Sequence, residues 1–157
     1  MLQRKQTLFL LLASMLLMAT WLFPIATYER AGSSFQLRSS GLFTAEGMPV
    51  SDVELKVPFH LVLSVLAAGM VVAIFLFRNR PRQMRFVRGT YLLLLAVIAF
   101  QFIVDRSVTG YLAQGGTVKT QYGITFVLPI AALVLAFLAE RAIRADEELV
   151  RSMDRLR

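Results

Sequence analysis

The 157-residue sequence contains no cysteine, a single histidine and a single tryptophan. Without cysteine there are no disulfides and no thiolate metal sites, and nothing follows about redox compartment. His60 alone, with no cysteine and no set of carboxylates around it, makes no recognisable metal site. No triad-like partner accompanies it either, so packing or hydrogen bonding is the default reading of this residue. Charge is scarce too: 17% of residues are charged and 57% hydrophobic, whereas soluble domains average roughly 25% and 45–50%. The P-loop, HExxH and glycine-rich phosphate fingerprints are all missing. Neither a catalytic nor a cofactor-binding constellation is visible, and the sequence implies no cofactor or metal.

Charge is missing in blocks. Residues 6–28, 57–77, 89–104 and 120–139 carry none. A bilayer core about 30 Å thick takes about 20 apolar residues at 1.5 Å each. The third block falls short of that length and reaches it by running past Asp105. The expected fold class is therefore an all-α membrane protein, a bundle of four transmembrane helices over residues 6–28, 57–77, 89–108 and 120–141. The first block follows Arg4 and Lys5 as a signal peptide would, but it is long enough to span. "FPIAT" at its end offers no small-x-small cleavage site, so it reads as an uncleaved anchor.

What charge there is lies unevenly. Arg4 and Lys5, then Arg78, Arg80, Arg82, Arg85 and Arg88, then Arg141, Arg144, Arg151, Arg155 and Arg157 fall on one side of four crossings. The opposite loops, 29–56 and 109–119 with the end of the third span, hold only Arg30, Arg38, Lys56, Arg106 and Lys119. The positive-inside bias then predicts both termini in the cytoplasm. The net charge of +7 does not indicate nucleic-acid binding, which needs stacking aromatics or a known fold as well. Instead, the basic loop 78–88 ("RNRPRQMRFVR") suits anionic lipid headgroups, with Arg78, Arg80, Arg82, Arg85 and Arg88 as the candidate contacts.

Between the first two spans, period-two alternation in "SFQLRSS" and "SDVELKV" predicts short strands, hence a small antiparallel sheet in the first extracytoplasmic loop. The stretch after the third span is rich in Gly and Thr and reads as an exposed loop or hairpin. Small residues four apart (Ser64 with Ala68, Gly69 with Ala73) favour close helix packing. Pro129 is expected mid-membrane, with a kink. The tail, 142–157, continues the last span as a cytoplasmic helix, with Glu140/Arg144, Arg144/Glu148 and Glu147/Arg151 spaced for ion pairs. Ile143, Val150, Met153 and Leu156 add a rough apolar stripe.

Polar groups inside a membrane invite functional suspicion. Gln101 and Asp105 lie one turn apart, and with His60 they form a candidate polar cleft; for Asp105, an interfacial pair with Arg106 is the default.

"MLQRKQTLFLLLA" at the start and "LAERAIRADEELVRSMDRLR" at the end resemble the signatures of a bacterial membrane-protein family, domain of unknown function 4293. The resemblance implies a four-helix inner-membrane protein of Gram-negative bacteria, and it carries no activity. Gln3, Arg4, Arg141, Arg144, Asp146, Glu147, Arg151, Asp154 and Arg155 match as candidates for a shared partner surface. The expected function is a non-enzymatic accessory or scaffolding subunit of a membrane complex, contacting a membrane-protein partner or a second copy. A small transporter, channel or lipid-handling protein using the Gln101, Asp105 and His60 cleft is the alternative.

Overall fold

A computed structural model describes residues 5–50, 58–114 and 116–154. Within them, four helices form a bundle with a small sheet at one end. Helix α1 (Lys5–Ala19) leads into β1 (Ala26–Arg30), β2 (Ser33–Arg38) and β3 (Gly41–Thr44). Helix α2 (Phe59–Phe75) and a 3₁₀ turn (Leu76–Arg78) precede α3 (Arg80–Ala113). Strand β4 (Lys119–Tyr122), a second 3₁₀ turn (Ile124–Phe126) and α4 (Leu128–Asp154) complete the order.

Helix α1 packs on α2 and α4, and α3 packs on the same two, so successive helices are neighbours around a ring. Its core is built from Leu10, Leu17, Leu63, Met70, Val87, Leu94, Ala136 and Ile143, among others. The outward surface is apolar as well: Leu12, Met15, Val65, Val72, Leu93, Ile103 and Val134 are all exposed. Helices hydrophobic on every face belong in a large core or in lipid. Three helical stretches, Phe59–Arg78, Arg80–Ala113 and Ile124–Val150, are long and apolar enough to cross a membrane. Helix α1 is apolar but has only 15 residues.

Its early end has a local cause. Proline lacks an N–H and pushes the residue before it out of the α region, so Pro24 closes the first uncharged run to helix. Ile25 to Tyr28, which the run of missing charge assigns to the first span, go into the sheet instead. The sheet is antiparallel in the order β3-β2-β1-β4. Ala31 and Gly32, both with positive φ, make the two-residue turn of the β1–β2 hairpin. The strand expected in "SFQLRSS" is present as β2, but burial alternates only at its end, with Leu37 buried and Arg38 exposed while Phe35 and Gln36 are both half-buried. "SDVELKV", the other predicted strand, lies outside the described residues. Strand β4 comes from the stretch expected as a loop or hairpin and pairs with β1. Ile25, Tyr28, Leu37 and Leu42 pack under the sheet against Val108 and Leu112 of α3.

Two helix starts differ from expectation. Most of the basic loop is the beginning of α3: the Asn79 side chain accepts from the Arg82 N–H at 3.2 Å, and Pro81 occupies the first turn. Proline costs nothing there, because the first turn's N–H groups have no intrahelical partner. By the same logic Pro129 sits at the second residue of α4, so it opens a helix rather than kinking one. Gly69 faces Thr90 and Phe86 of α3, but a Cβ there would meet them only at ordinary contact distances, 3.7 Å and beyond, so no unusually close approach of the helices depends on this glycine. The tail is helical to Asp154.

Candidate functional site

Polar groups gather at both ends of the apolar bundle. At the sheet end, Gln101 and Asp105 project from the buried face of α3 at 4% and 3% exposure. The Asp105 carboxylate is held by two tyrosines: the Tyr28 hydroxyl donates to Oδ1 at 2.6 Å, and the Tyr122 hydroxyl donates to Oδ2 at 2.9 Å. Tyr28 is fully buried. Burial, followed by its bond to Asp105, pushes the Tyr28 hydroxyl well above its ordinary value. The same bond, followed by burial, raises Tyr122. Asp105 is thus tied to strands β1 and β4, and among the described residues it makes no ion pair with Arg106.

His60 has a different set of partners. Its backbone N–H donates to the Ser39 carbonyl at 3.1 Å, and its ring Nδ1 lies 3.3 Å from the same oxygen. The ring meets Trp21 edge-on at 5.3 Å, and the Trp21 indole donates to Ser64 Oγ. The structure therefore joins Asp105 to the sheet through β1 and β4 and joins His60 to it through the β2–β3 turn. Among the described residues, no group of three or more metal-ligating side chains gathers.

The opposite end is organised by charge. Arg88 of α3 binds Glu140 of α4 through Nε, at 2.9 Å, and through Nη2. Glu140 is only 6% exposed, a buried carboxylate that would be costly without these two bonds from one guanidinium to its Oε1. Further out, Arg80 donates to the Asp146 carbonyl at 2.9 Å and approaches Glu147 at 4.0 Å. The tail is consequently fastened to the start of α3. Of the expected pairs within the tail, Arg144 and Glu148 are 3.7 Å apart, whereas Glu140 is taken by Arg88. The Arg151 and Asp154 backbone continues the helix, and Arg155 lies outside the described residues. Arg78, Arg82 and Arg85 remain exposed, so two of the five candidate headgroup contacts are instead engaged with α4.

A groove of about 450 Å³ runs between the helices here, lined by Arg88, Tyr91, Phe137, Glu140, Arg141 and Arg144, with Ala145 and Glu148. Nothing local in the sequence distinguishes Tyr28, Tyr122 and Tyr91 from ordinary interfacial aromatics. The Arg88–Glu140 pair did leave a signal: each is the charge that bounds an uncharged run, which puts them at one depth.

A helical bundle with three membrane-length apolar helices and a small antiparallel cap defines the class of protein. The chain belongs to the family described as domain of unknown function 4293, which matches residues 2–156. No curated protein matches the sequence.

Proposed function

We propose that this protein is an integral protein of the bacterial inner membrane, crossing it four times with both termini in the cytoplasm, and that it serves a membrane complex as a non-enzymatic accessory or scaffolding subunit. Two polar girdles support the membrane reading. Arg88–Glu140 and Asp105–Tyr28–Tyr122 bound an apolar band, and the helix rises about 26 Å from Arg88 to Asp105 at 1.5 Å per residue. That approaches the ~30 Å of a hydrocarbon core. Helix α1 covers about 22 Å by itself, and exposed Trp21, Leu22 and Phe23 extend its apolar surface at the sheet end. Aromatic residues at that level suit the interfacial belt.

One observation carries the scaffolding reading. Helix α4 continues beyond the apolar band as a single helix pinned by Arg80 and Arg88, and it presents Leu149 at 63% exposure among charged neighbours. A fastened helix with an exposed apolar residue and patterned charge is an interaction surface in form. Contact is preferred to transport because both Asp105 oxygens are occupied by tyrosines that tie α3 to the sheet. Copurification in mild detergent at native expression, read by mass spectrometry, tests this. A stoichiometric membrane-protein partner or a homo-oligomer is expected, and Leu149→Asp should release it. A strictly monomeric protein without partners would sink the scaffold.

A further inference from the structure

The interhelical groove beside Glu140 changes character along its length. Tyr91 and Phe137, in edge-on contact at 6.2 Å between ring centres, line its apolar part. Both belong to the band between the polar girdles. Beyond the Arg88–Glu140 pair the walls become charged, with Arg141 and Arg144 on α4. A groove that passes from aromatic to cationic at the edge of an apolar band matches the junction of an acyl chain and its headgroup.

The charges specify the sign of the occupant. Three arginines face two glutamates in the lining, leaving one positive charge. Arg88 is committed to Glu140, and Arg144 is only loosely paired, at 3.7 Å from Glu148 with both side chains largely exposed. Arg141 is exposed and has no ion pair among the described residues. Like charges three residues apart on a helix repel, so an anion between Arg141 and Arg144 would relieve that repulsion while forming charge-assisted hydrogen bonds.

We infer that this groove is a binding site for one monoanionic phospholipid, its phosphodiester on Arg141 and Arg144 and an acyl chain along Tyr91 and Phe137. The site rests on the membrane reading above and goes beyond it, because it moves specific lipid recognition from the 78–88 segment to the last helix. A free phosphate has the same headgroup chemistry but no use for the aromatic part of the groove.

The test is native mass spectrometry of the full chain released from nanodiscs holding equal phosphatidylglycerol and phosphatidylcholine. One phosphatidylglycerol should be retained in preference to phosphatidylcholine. The R141Q/R144Q variant should lower that retention roughly tenfold, as expected for losing charged hydrogen-bond donors. R78Q/R82Q, which removes the same charge from the same end of the molecule but outside the groove, should leave it unchanged. Equal retention of the two lipids overturns the site, and so does equal loss in the two variants, which would mean bulk attraction. Displacement of the lipid by inorganic phosphate at millimolar concentration would assign the groove to the free ion and likewise overturn it. Recovery of the protein in the soluble fraction without detergent would instead defeat the membrane reading, which fractionation reports separately.

Discussion

Asp105 shows how much one buried side chain can hold. Its carboxylate sits on α3, yet its two donors come from β1 and β4, so three elements distant in sequence meet at four atoms. Replacing it with alanine takes from the fully buried Tyr28 hydroxyl its carboxylate acceptor and leaves only the Thr109 hydroxyl within reach, at a cost of about 1–3 kcal/mol. Tyr122 is half-exposed and can turn to water, so Tyr122→Phe should cost under about 1 kcal/mol. Thermal unfolding in detergent should rank the variants in that order. The tyrosines also set a response to alkali. Both hydroxyls have native values above the ordinary 10.0, so the folded state holds their protons more tightly than the unfolded chain does. Their stabilisation is complete below pH ~10 and is lost as pH rises through the raised native values. Unfolding temperature should accordingly fall on the alkaline side. Tyr28→Phe should flatten that fall, and a variant that kept the wild-type slope would show that this hydroxyl is not responsible.

At the scale of elements, what the sequence disclosed follows from which signals are local. Missing charge over long runs is local, so the helices were legible from it, and the alternation around Leu37 gave β2. Strand β1 was not, because Ile25 to Tyr28 are as apolar as a helix end and the partners that draw them into a sheet lie elsewhere in the chain. Arg80 to Arg88 read as loop through their charge and Pro81, although Asn79 followed by proline is also a helix-start pattern. The candidate site divides in the same way: Arg88 and Glu140 are marked by their position beside uncharged runs, whereas Asp105 is joined to Tyr28 only by the fold. Two glycines test the boundaries so drawn. Gly123 has an ordinary extended backbone, but a Cβ there would lie 2.4 Å from the Pro24 carbonyl oxygen, an atom unable to move aside. Gly123→Ala should push β4 from β1 and destabilise by about 1–3 kcal/mol. Gly89, inside α3 with open space around it, should behave oppositely, with alanine adding about 0.5–1 kcal/mol. Unfolding temperatures that moved together would contradict these helix and strand limits.

For the whole molecule, the helices differ in length in a way that distinguishes its two ends. Helix α3 runs about 51 Å and α4 about 40 Å, whereas α1 ends after about 22 Å at the turn that leads into the sheet. The excess of α4 projects away from the sheet, beyond Glu140, together with the arginine-rich start of α3 that fastens it. The sheet end gathers the turns at Gly47 and Gly116, and among the described residues the other end carries most of the basic ones. Under the positive-inside bias the two ends should face opposite compartments, the sheet outward. A reporter active only in the periplasm should therefore signal when fused after Gly47 or Gly116 and stay silent after Arg157, where a cytoplasmic reporter should be active. Neutralising Arg78, Arg82 and Arg85, which are exposed and make no ion pair among the described residues, should weaken that orientation without loosening the Arg80 and Arg88 ties. A mixed signal at Gly116 in that triple variant would be the expected sign of weakened orientation. The reverse pattern in the wild-type chain would put the tail outside and remove the basis for reading it as a cytoplasmic contact surface.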